Sequence, residues 1–399
     1  MTPGTGPLAA ARDDAGSDVS TALVQAPDLM TFVRRGGRLP ATRGDRIRTL
    51  IMLGRPRTCV PGLLAFALGF SYTGAAPSAR MALGACLALS IGFSANLHNV
   101  ATDLHEDSRN LPGRVTLLGK VGSRWLVVAC RALGVAMMAG AVALGAYFTL
   151  FMGLAVVGLH QYSSPPVRSK GRPILGLWVF AQAVVFPFLF GWTTAPGRML
   201  ETLLAAMTAP LRSVPPPPAE VAWPSWRYLA MWFFLTLWFM AKGTFKNVPD
   251  YDGDLAAGVR TSATECRDRR SAARLAAGLT VAAYLSLVPL VVFGLERPRI
   301  LFALVWLVPV IANCVRLVRA GDGASSNAVL TTDMRISSGF IATLLLLEAP
   351  RPENLAFVVI GAAILFGSDL LELDSRREAD VCRGIIPESG VQLRGSRGK

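Results

Sequence analysis

The chain has 399 residues, 52% hydrophobic and 17% charged, with a mean hydropathy of +0.44 and a net charge of +14. Charged residues fall below the roughly 25% of soluble domains, and apolar runs of about 20 residues recur, so the composition excludes a string of soluble domains and reads as one integral membrane domain. The excess of Lys and Arg suits basic loops at the cytoplasmic face of a membrane; nucleic-acid binding is set aside, because the apolar runs leave no soluble surface to carry it.

Residues 1–45 are rich in Gly, Ala, Asp and Arg and contain no apolar core of a signal peptide, so they read as a disordered cytoplasmic tail. Residues 46–374 read as the membrane domain and residues 375–399 as a C-terminal tail. Arg43 to Gly54 mixes Arg with Ile, Leu and Met, as in an interfacial helix. Spans then follow at about Pro56–Gly74 and Met81–Ala101. Arg124–His160 must hold two spans joined by a very tight turn. Later spans lie near Ile174–Thr194, Arg227–Thr244, Ala272–Gly294, Ile300–Val318 and Leu355–Leu371. The run Ile336–Leu347 is short for a crossing. The spans number nine if it only dips into the membrane and ten if it crosses. The predicted fold is an all-α integral membrane bundle.

The loops after spans two, four, six and eight carry most of the cations, among them Arg109, Arg168, Lys170, Lys246, Arg260 and Arg335. This bias predicts that those loops and the N-terminus face the cytoplasm of a multi-pass cell-membrane protein. Ala195–Trp226 becomes a long external loop, stiffened by the run Pro215–Pro218. The six cysteines form no CxxC pair and fall mostly in or beside apolar runs, which argues against a thiolate metal site.

Two polar stretches carry chemistry. Residues four apart share a helix face, because four residues turn through about 400°. Asn99, Asp103 and Asp107 therefore form one oxygen-rich stripe past the second span. Asp250 and Asp254 form another past the sixth, with Asn247 on the same side. Mg²⁺ takes oxygen ligands, usually one or two carboxylates completed by waters and substrate phosphates. Two such stripes at one membrane face predict a shared site in which Mg²⁺ grips a diphosphate. Between them in sequence, Tyr162-Ser-Ser-Pro-Pro-Val-Arg168-Ser-Lys170 sets a proline-broken turn beside two cations that suit a leaving diphosphate.

These segments resemble the motifs of UbiA-type intramembrane prenyltransferases. Asn99-Val-Ala-Thr-Asp103-Leu-His-Glu-Asp107 is similar to that family's first NxxxDxxxD motif. Lys246-Asn-Val-Pro-Asp250-Tyr-Asp-Gly-Asp254, with Gly258-Val-Arg-Thr261, resembles the second. Its wording is nearest the KDxPDxxGD…GxxT form of the homogentisate and chlorophyll-synthase branch, although Asn247 stands where that form has Asp. The Tyr162–Lys170 loop resembles the YSxPPxRxK loop of the same branch. The resemblance runs over roughly Arg55 to Leu371 and implies a bundle of about nine transmembrane helices around a central cavity open to lipid. It also implies transfer of an isoprenyl group from an isoprenyl diphosphate to an acceptor, commonly aromatic (phenolic, quinonoid or indole-type). By position, Asn99, Asp103 and Asp107 would hold one Mg²⁺, and Asp250, Asp254 and Asn247 the other. Arg168, Lys170 and Lys246 would contact diphosphate, and Tyr162 would shape the loop.

Two other functions share these features. A membrane terpene cyclase of the same fold would ionise the diphosphate without an external acceptor. A cation-coupled transporter would use the carboxylates as ion sites, but such sites usually sit near the midplane at broken helices, whereas these carboxylates lie at span ends. An allyl cation needs a water-free cavity with aromatic faces, for which Trp178, Phe180, Trp232, Phe233, Phe234, Trp238 and Phe239 are candidates. Tyr251 and Asp252 are candidates for deprotonating the acceptor. Arg131 reads as a snorkelling side chain or a diphosphate contact. His98, His105 and His160 read as helix-surface groups.

Overall fold

The computed structural model describes residues 27–195 and 224–377, and all regular structure in them is helical. The helices are α1 (Pro27–Arg34), α2 (Arg43–Gly54), α3 (Val60–Ser71), α4 (Ala79–Thr102), α5 (Leu104–Asn110), α6 (Pro112–Val121), α7 (Ser123–Leu144) and α8 (Ala146–Ser163). They continue as α9 (Pro173–Thr194), α10 (Trp226–Asn247), α11 (Tyr251–Ala256), α12 (Arg269–Leu285), α13 (Leu287–Val292), α14 (Leu307–Arg319), α15 (Gly323–Glu348) and α16 (Pro352–Leu370). Short 3₁₀ segments precede α3, α9 and α14.

Local sequence explains many helix starts. Side chains of Ser78, Ser225 and Asp268 accept from the backbone N–H three residues on, capping α4, α10 and α12. Thr42 with Asp45 and Asp322 with Ser325 form reciprocal capping boxes at α2 and α15. The very tight turn expected inside 124–160 is Gly145, whose φ of +116 separates α7 from α8.

Among the described residues, seven helical segments are long and apolar enough to cross a membrane. They are α4, α7, α9, α12 with α13, the 3₁₀ segment with α14, α15, and α16. This is fewer than the nine or ten read from the sequence. α3 has only 12 residues, the 18 of α8 end in the polar run His160–Ser163, and α10 carries Arg227, Lys242 and Lys246 in its 22. The apolar run Ile336–Leu347 is the second half of α15, a single helix of 26 residues.

Helix α3 is the bundle's axis: from Val60 to Phe70 every residue is buried, with α9, α15 and α16 packed around it. Against α9 the contact is backbone to backbone. A Cβ at Gly69 would lie 1.9 Å from the Phe188 carbonyl oxygen, and one at Gly191 would lie 2.0 Å from that of Phe66. Only glycine permits this approach, the small-residue logic of membrane helix pairs. Phe66, Phe188, Phe190, Phe234, Trp238 and Phe340 fill the main core. A second, smaller core joins Val33, Met52 and Leu53 to Leu97, Leu117 and Leu126, so α1, α2 and α6 cap the ends of α4 and α7. Val33, inside the stretch read as a tail, is fully buried there. The Pro215–Pro218 run lies outside the described residues.

Candidate active site

Both carboxylate stripes lie where a long helix gives way to a short one. α4 ends at Thr102, Asp103 breaks the helical dihedrals, and α5 restarts at Leu104. The stripe survives the break because the i→i−4 bonds continue through it: Asp103 N–H donates to the Asn99 carbonyl at 2.8 Å, and Asp107 N–H to that of Asp103 at 2.8 Å. On the other side, α10 carries Lys242, Lys246 and Asn247 before α11 begins after Asp250. Asp254 N–H donates to the Asp250 carbonyl at 2.9 Å.

The two short helices meet through Gly253. A Cβ there would fall 1.9 Å from the Asn110 side-chain oxygen, so α5 can sit close against α11 only because this position is glycine. Asp250 and Asp254 flank that glycine and line one cavity with Asp103 and Asp107. Asn99, Asp103, Asp107, Tyr162, Lys170, Lys246, Asn247, Asp250 and Asp254 all line it. Arg168 does not. It stands half-exposed behind the wall and donates to Glu106 at 2.5 Å.

The lining is charge-balanced, with six carboxylates and six cations. Asp103 pairs with Lys170 at 2.6 Å, and Lys170 also reaches Glu106 at 2.9 Å. Asp107 pairs with Arg114 at 2.9 Å. Asp250 pairs with Arg376, and with Lys246 at 3.5 Å. Burial alone would raise the Asp250 carboxyl, but Arg376 and Lys246 hold it below the ordinary range. Lys170 and Arg168 likewise outweigh burial at Glu106 and hold it low. Asp107 stays raised by burial and by Asp103 and Asp250, in spite of Arg114. Asp254 has no cation at ion-pair distance among the described residues, and burial together with Asp250 pushes it up to about 7.

Several of these groups were not singled out from the sequence: Glu106, Arg114, Lys242, Asp333 and Arg376. Glu106 stands inside the first motif, and its spacing of three from Asp103 was a usable signal. Arg114 lies seven residues past Asp107 and Lys242 one turn before Lys246, whereas Asp333 and Arg376 meet the site only through long-range contacts. Asp374 to Arg376, at the sequence-drawn border with the C-terminal tail, are buried. Asp374 pairs with Arg55 at 3.1 Å and Arg57 at 3.2 Å, and these two cations hold its carboxyl low against burial.

Of the aromatic candidates, only Phe180 and Phe239 line the cavity, stacked with centroids 5.0 Å apart. Trp178 and Phe233 are exposed on the bundle's outer face, Phe234 and Trp238 belong to the core, and Trp232 packs on that core. Asp252 points outward to Arg269, and the buried Tyr251 donates to the Cys266 carbonyl at 3.3 Å. Arg131 is exposed on α7 and does not line the cavity. His105 is exposed. His98 lies 3.1 Å from the Ser164 hydroxyl and against the His160 ring, and none of the three histidines lines the cavity.

No three His, Cys, Asp or Glu side chains among the described residues meet closely enough to hold a metal unaided. The donors that line the cavity nevertheless fit Mg²⁺. They are carboxylate and amide oxygens, the hard ligands it takes, and substrate phosphates and waters are its usual remaining ligands. Asp254 is a carboxylate with no counter-ion of its own. The Asn247 side-chain nitrogen is used in a 3.0 Å bond to Ser262, so its oxygen is the atom it can offer a cation.

A helical membrane bundle with paired carboxylate stripes facing one another across a charge-balanced cavity has the architecture expected of an intramembrane prenyltransferase. Residues 58–339 match the UbiA prenyltransferase family, and the chain belongs to that family. A UbiA homolog from Archaeoglobus fulgidus bound to DMAPP and Mg²⁺ aligns at 21% identity with a TM-score of 0.51, covering 78% of this chain and 99% of its own. The homolog from the same organism bound to GPP and Mg²⁺ aligns at 20% identity with a TM-score of 0.51, over 78% of this chain and 99% of that one. At these identities the likeness is one of fold. No curated protein sequence matches the chain.

Proposed function

We propose that this protein moves an isoprenyl group from an isoprenyl diphosphate to an aromatic acceptor, with the diphosphate held between the α4–α5 and α10–α11 carboxylates. The observation that carries this reading is the pairing of every stripe carboxylate except Asp254 with a lysine or arginine in a charge-balanced cavity. Such a lining accepts a diphosphate and its counter-ions as one nearly neutral unit. Mg²⁺, held by Asn99, Asp103 and Asp107 on one side and Asn247, Asp250 and Asp254 on the other, would supply Lewis-acid stabilisation of the leaving diphosphate.

The chain's own groups do the rest. Lys170 and Lys246, on opposite sides of the cavity, turn from their carboxylates to the diphosphate oxygens. Arg168 steadies Glu106, which holds Lys170 in place, and Tyr162 shapes the same wall. The allylic C–O bond breaks with its electron pair leaving on the diphosphate, where these fixed cations stabilise the growing charge. The stacked Phe180 and Phe239 faces lie where the allyl cation forms and stabilise it while water is excluded. The acceptor ring then bonds to that carbon and releases a proton to the departed diphosphate. We place the carboxylate end of the bundle at the cytoplasmic face, on the basis of the Lys and Arg bias of its loops.

The test is incubation of the protein in lipid nanodiscs with a chain-length series of isoprenyl diphosphates and a panel of phenolic, quinonoid and indole acceptors, read by mass spectrometry. A prenylated acceptor is expected, with EDTA abolishing it and Mg²⁺ restoring it. A hydrocarbon or terpenol formed without acceptor would establish a cyclase instead, and full activity in EDTA would defeat the diphosphate reading.

A further inference from the structure

One ion pair in the cavity has no task in diphosphate chemistry. Lys242 Nζ lies 2.7 Å from Asp333 Oδ1, and the two side chains are only 5% and 4% exposed. Both line the cavity. Lys242 precedes Lys246 by one turn on α10, so it lies about 6 Å further into the membrane along the same face. Asp333 is ten residues into α15, or about 15 Å from its start. Ionisable groups inside a membrane bundle are costly, and a buried ion pair is weak as a stabiliser. Lys242 is also held against the faces of Tyr284, Trp238 and Phe245, at 4.9, 5.7 and 5.8 Å. Its ammonium is thereby fixed in position.

Two unsatisfied atoms point to a ligand. Asp333 Oδ2 makes no hydrogen bond among the described residues, while Oδ1 is taken by Lys242. Ser337, one turn further along α15, is 2% exposed and lines the same cavity. Its hydroxyl has no hydrogen-bond partner. Lys242, its partner Asp333, and Ser337 one turn further along α15 thus line the same cavity, with Lys242 one turn beyond Lys246. The walls beside them are apolar, with Phe180, Phe239, Leu330 and Met334.

We infer that Lys242, Asp333 and Ser337 form the acceptor subsite and recognise a neutral ring hydroxyl. This deepens the transferase reading above and rests on it. The hydroxyl donates to Asp333 Oδ2, and its oxygen accepts from Lys242 and Ser337. The subsite is net neutral, so it matches an uncharged phenol; a carboxylate would face Asp333 without a compensating charge. An O–H bonded to a carboxylate shares electron density with its ring, which favours attack on the allyl carbon. Asp333 accepts a hydrogen bond in this arrangement and the proton stays on the hydroxyl oxygen. The three residues act as specificity-determining groups, and the apolar walls hold the ring flat beside the stacked phenylalanines.

The probes are 1-naphthol and 1-methoxynaphthalene, which differ only by methylation of the hydroxyl. Binding is measured by calorimetry on the full chain in nanodiscs, with Mg²⁺ and a non-ionising isoprenyl S-thiolodiphosphate bound. Wild type should favour the naphthol by roughly tenfold or more, the scale of one hydrogen bond to a charged group. Ser337→Ala should reduce that preference and leave thiolodiphosphate affinity unchanged. Lys242→Met/Asp333→Leu replaces the pair by apolar groups of similar size, a change that buried pairs often tolerate. It should bring the preference close to one, again with donor affinity retained. An unchanged naphthol preference in both variants overturns the subsite, as does equal binding of the two probes by wild type. Wild type that fails to bind any thiolodiphosphate overturns the transferase reading itself, which separates the two failures.

Discussion

Arg376 donates to Asp250 across a sequence separation of 126 residues. The same guanidinium donates to the Asn327 side-chain oxygen at 2.6 Å, and Arg376 is itself buried. It thus delivers a cation to the second carboxylate stripe from a segment that follows α16, the last helix among the described residues.

Arg376→Ala should raise the KM for the isoprenyl diphosphate by about tenfold to a hundredfold, since hydrogen bonds between charged groups are worth about 1.5–3 kcal/mol. Arg376→Lys should recover only part of the loss, because lysine lacks the planar fork that serves Asp250 and Asn327 together. Steady-state kinetics in nanodiscs checks both. A donor KM unmoved by either change would leave Arg376 as a counter-ion for Asp250 alone.

Asp103→Ala and Asp254→Ala should each lower turnover by about 10²-fold or more, as when a main electrostatic stabiliser is removed. The double variant should be little worse than either single, because the stripes act as one unit. Asp252→Ala should stay close to wild type, for that carboxylate points outward to Arg269. An active double variant would refute a shared diphosphate site.

The pH dependence of the metal-free protein follows from Asp254. Its folded-state pKa, near 7, lies above the ordinary 3.8. The folded state therefore favours the protonated form, and this contribution to stability is complete below about pH 4 and is lost as pH rises through about 7. Thermal unfolding followed from about pH 5 to about pH 8 should show stability falling across that window. Asp254→Asn should flatten the trend, and Mg²⁺ should stabilise wild type most at the upper end. A profile identical in wild type and Asp254→Asn would contradict the assignment.

Orientation is open to single-cysteine labelling from either side of sealed vesicles. A cysteine at Val167 or at Glu265 should react only from the cytoplasmic side, and one between residues 196 and 223 only from outside. Labelling of Val167→Cys from outside would reverse the assigned topology.

The sequence revealed the parts of the site that are local. Asn99, Asp103 and Asp107, and again Asp250 and Asp254, are spaced one turn apart, and backbone bonds keep that register even where α4 breaks at Asp103. Contacts between distant segments carry no such spacing. Lys242 meets Asp333 across 91 residues, and Arg376 sits in a charged stretch past the last apolar run, where composition alone reads as a tail. Aromatic side chains mislead for another reason. In a membrane helix a Phe or Trp can satisfy its surroundings facing lipid, core or cavity, and so Phe180 and Phe239 looked no different from Phe233 or Trp238.

Asp374 joins Arg55 and Arg57, which stand at the entrance to α3, to the stretch that follows α16. The order of synthesis therefore matters to the catalytic centre. When α10 and α11 have emerged from the ribosome, Asp250 and Asp254 have Lys246 and the earlier Arg114 and Lys170 near them, but not yet Arg376. Arg376 is made more than a hundred residues later. A nascent chain arrested after α16 would have the described helices but no Arg376 beside Asp250, and its affinity for the isoprenyl diphosphate should mature only as residues 371–376 fold back.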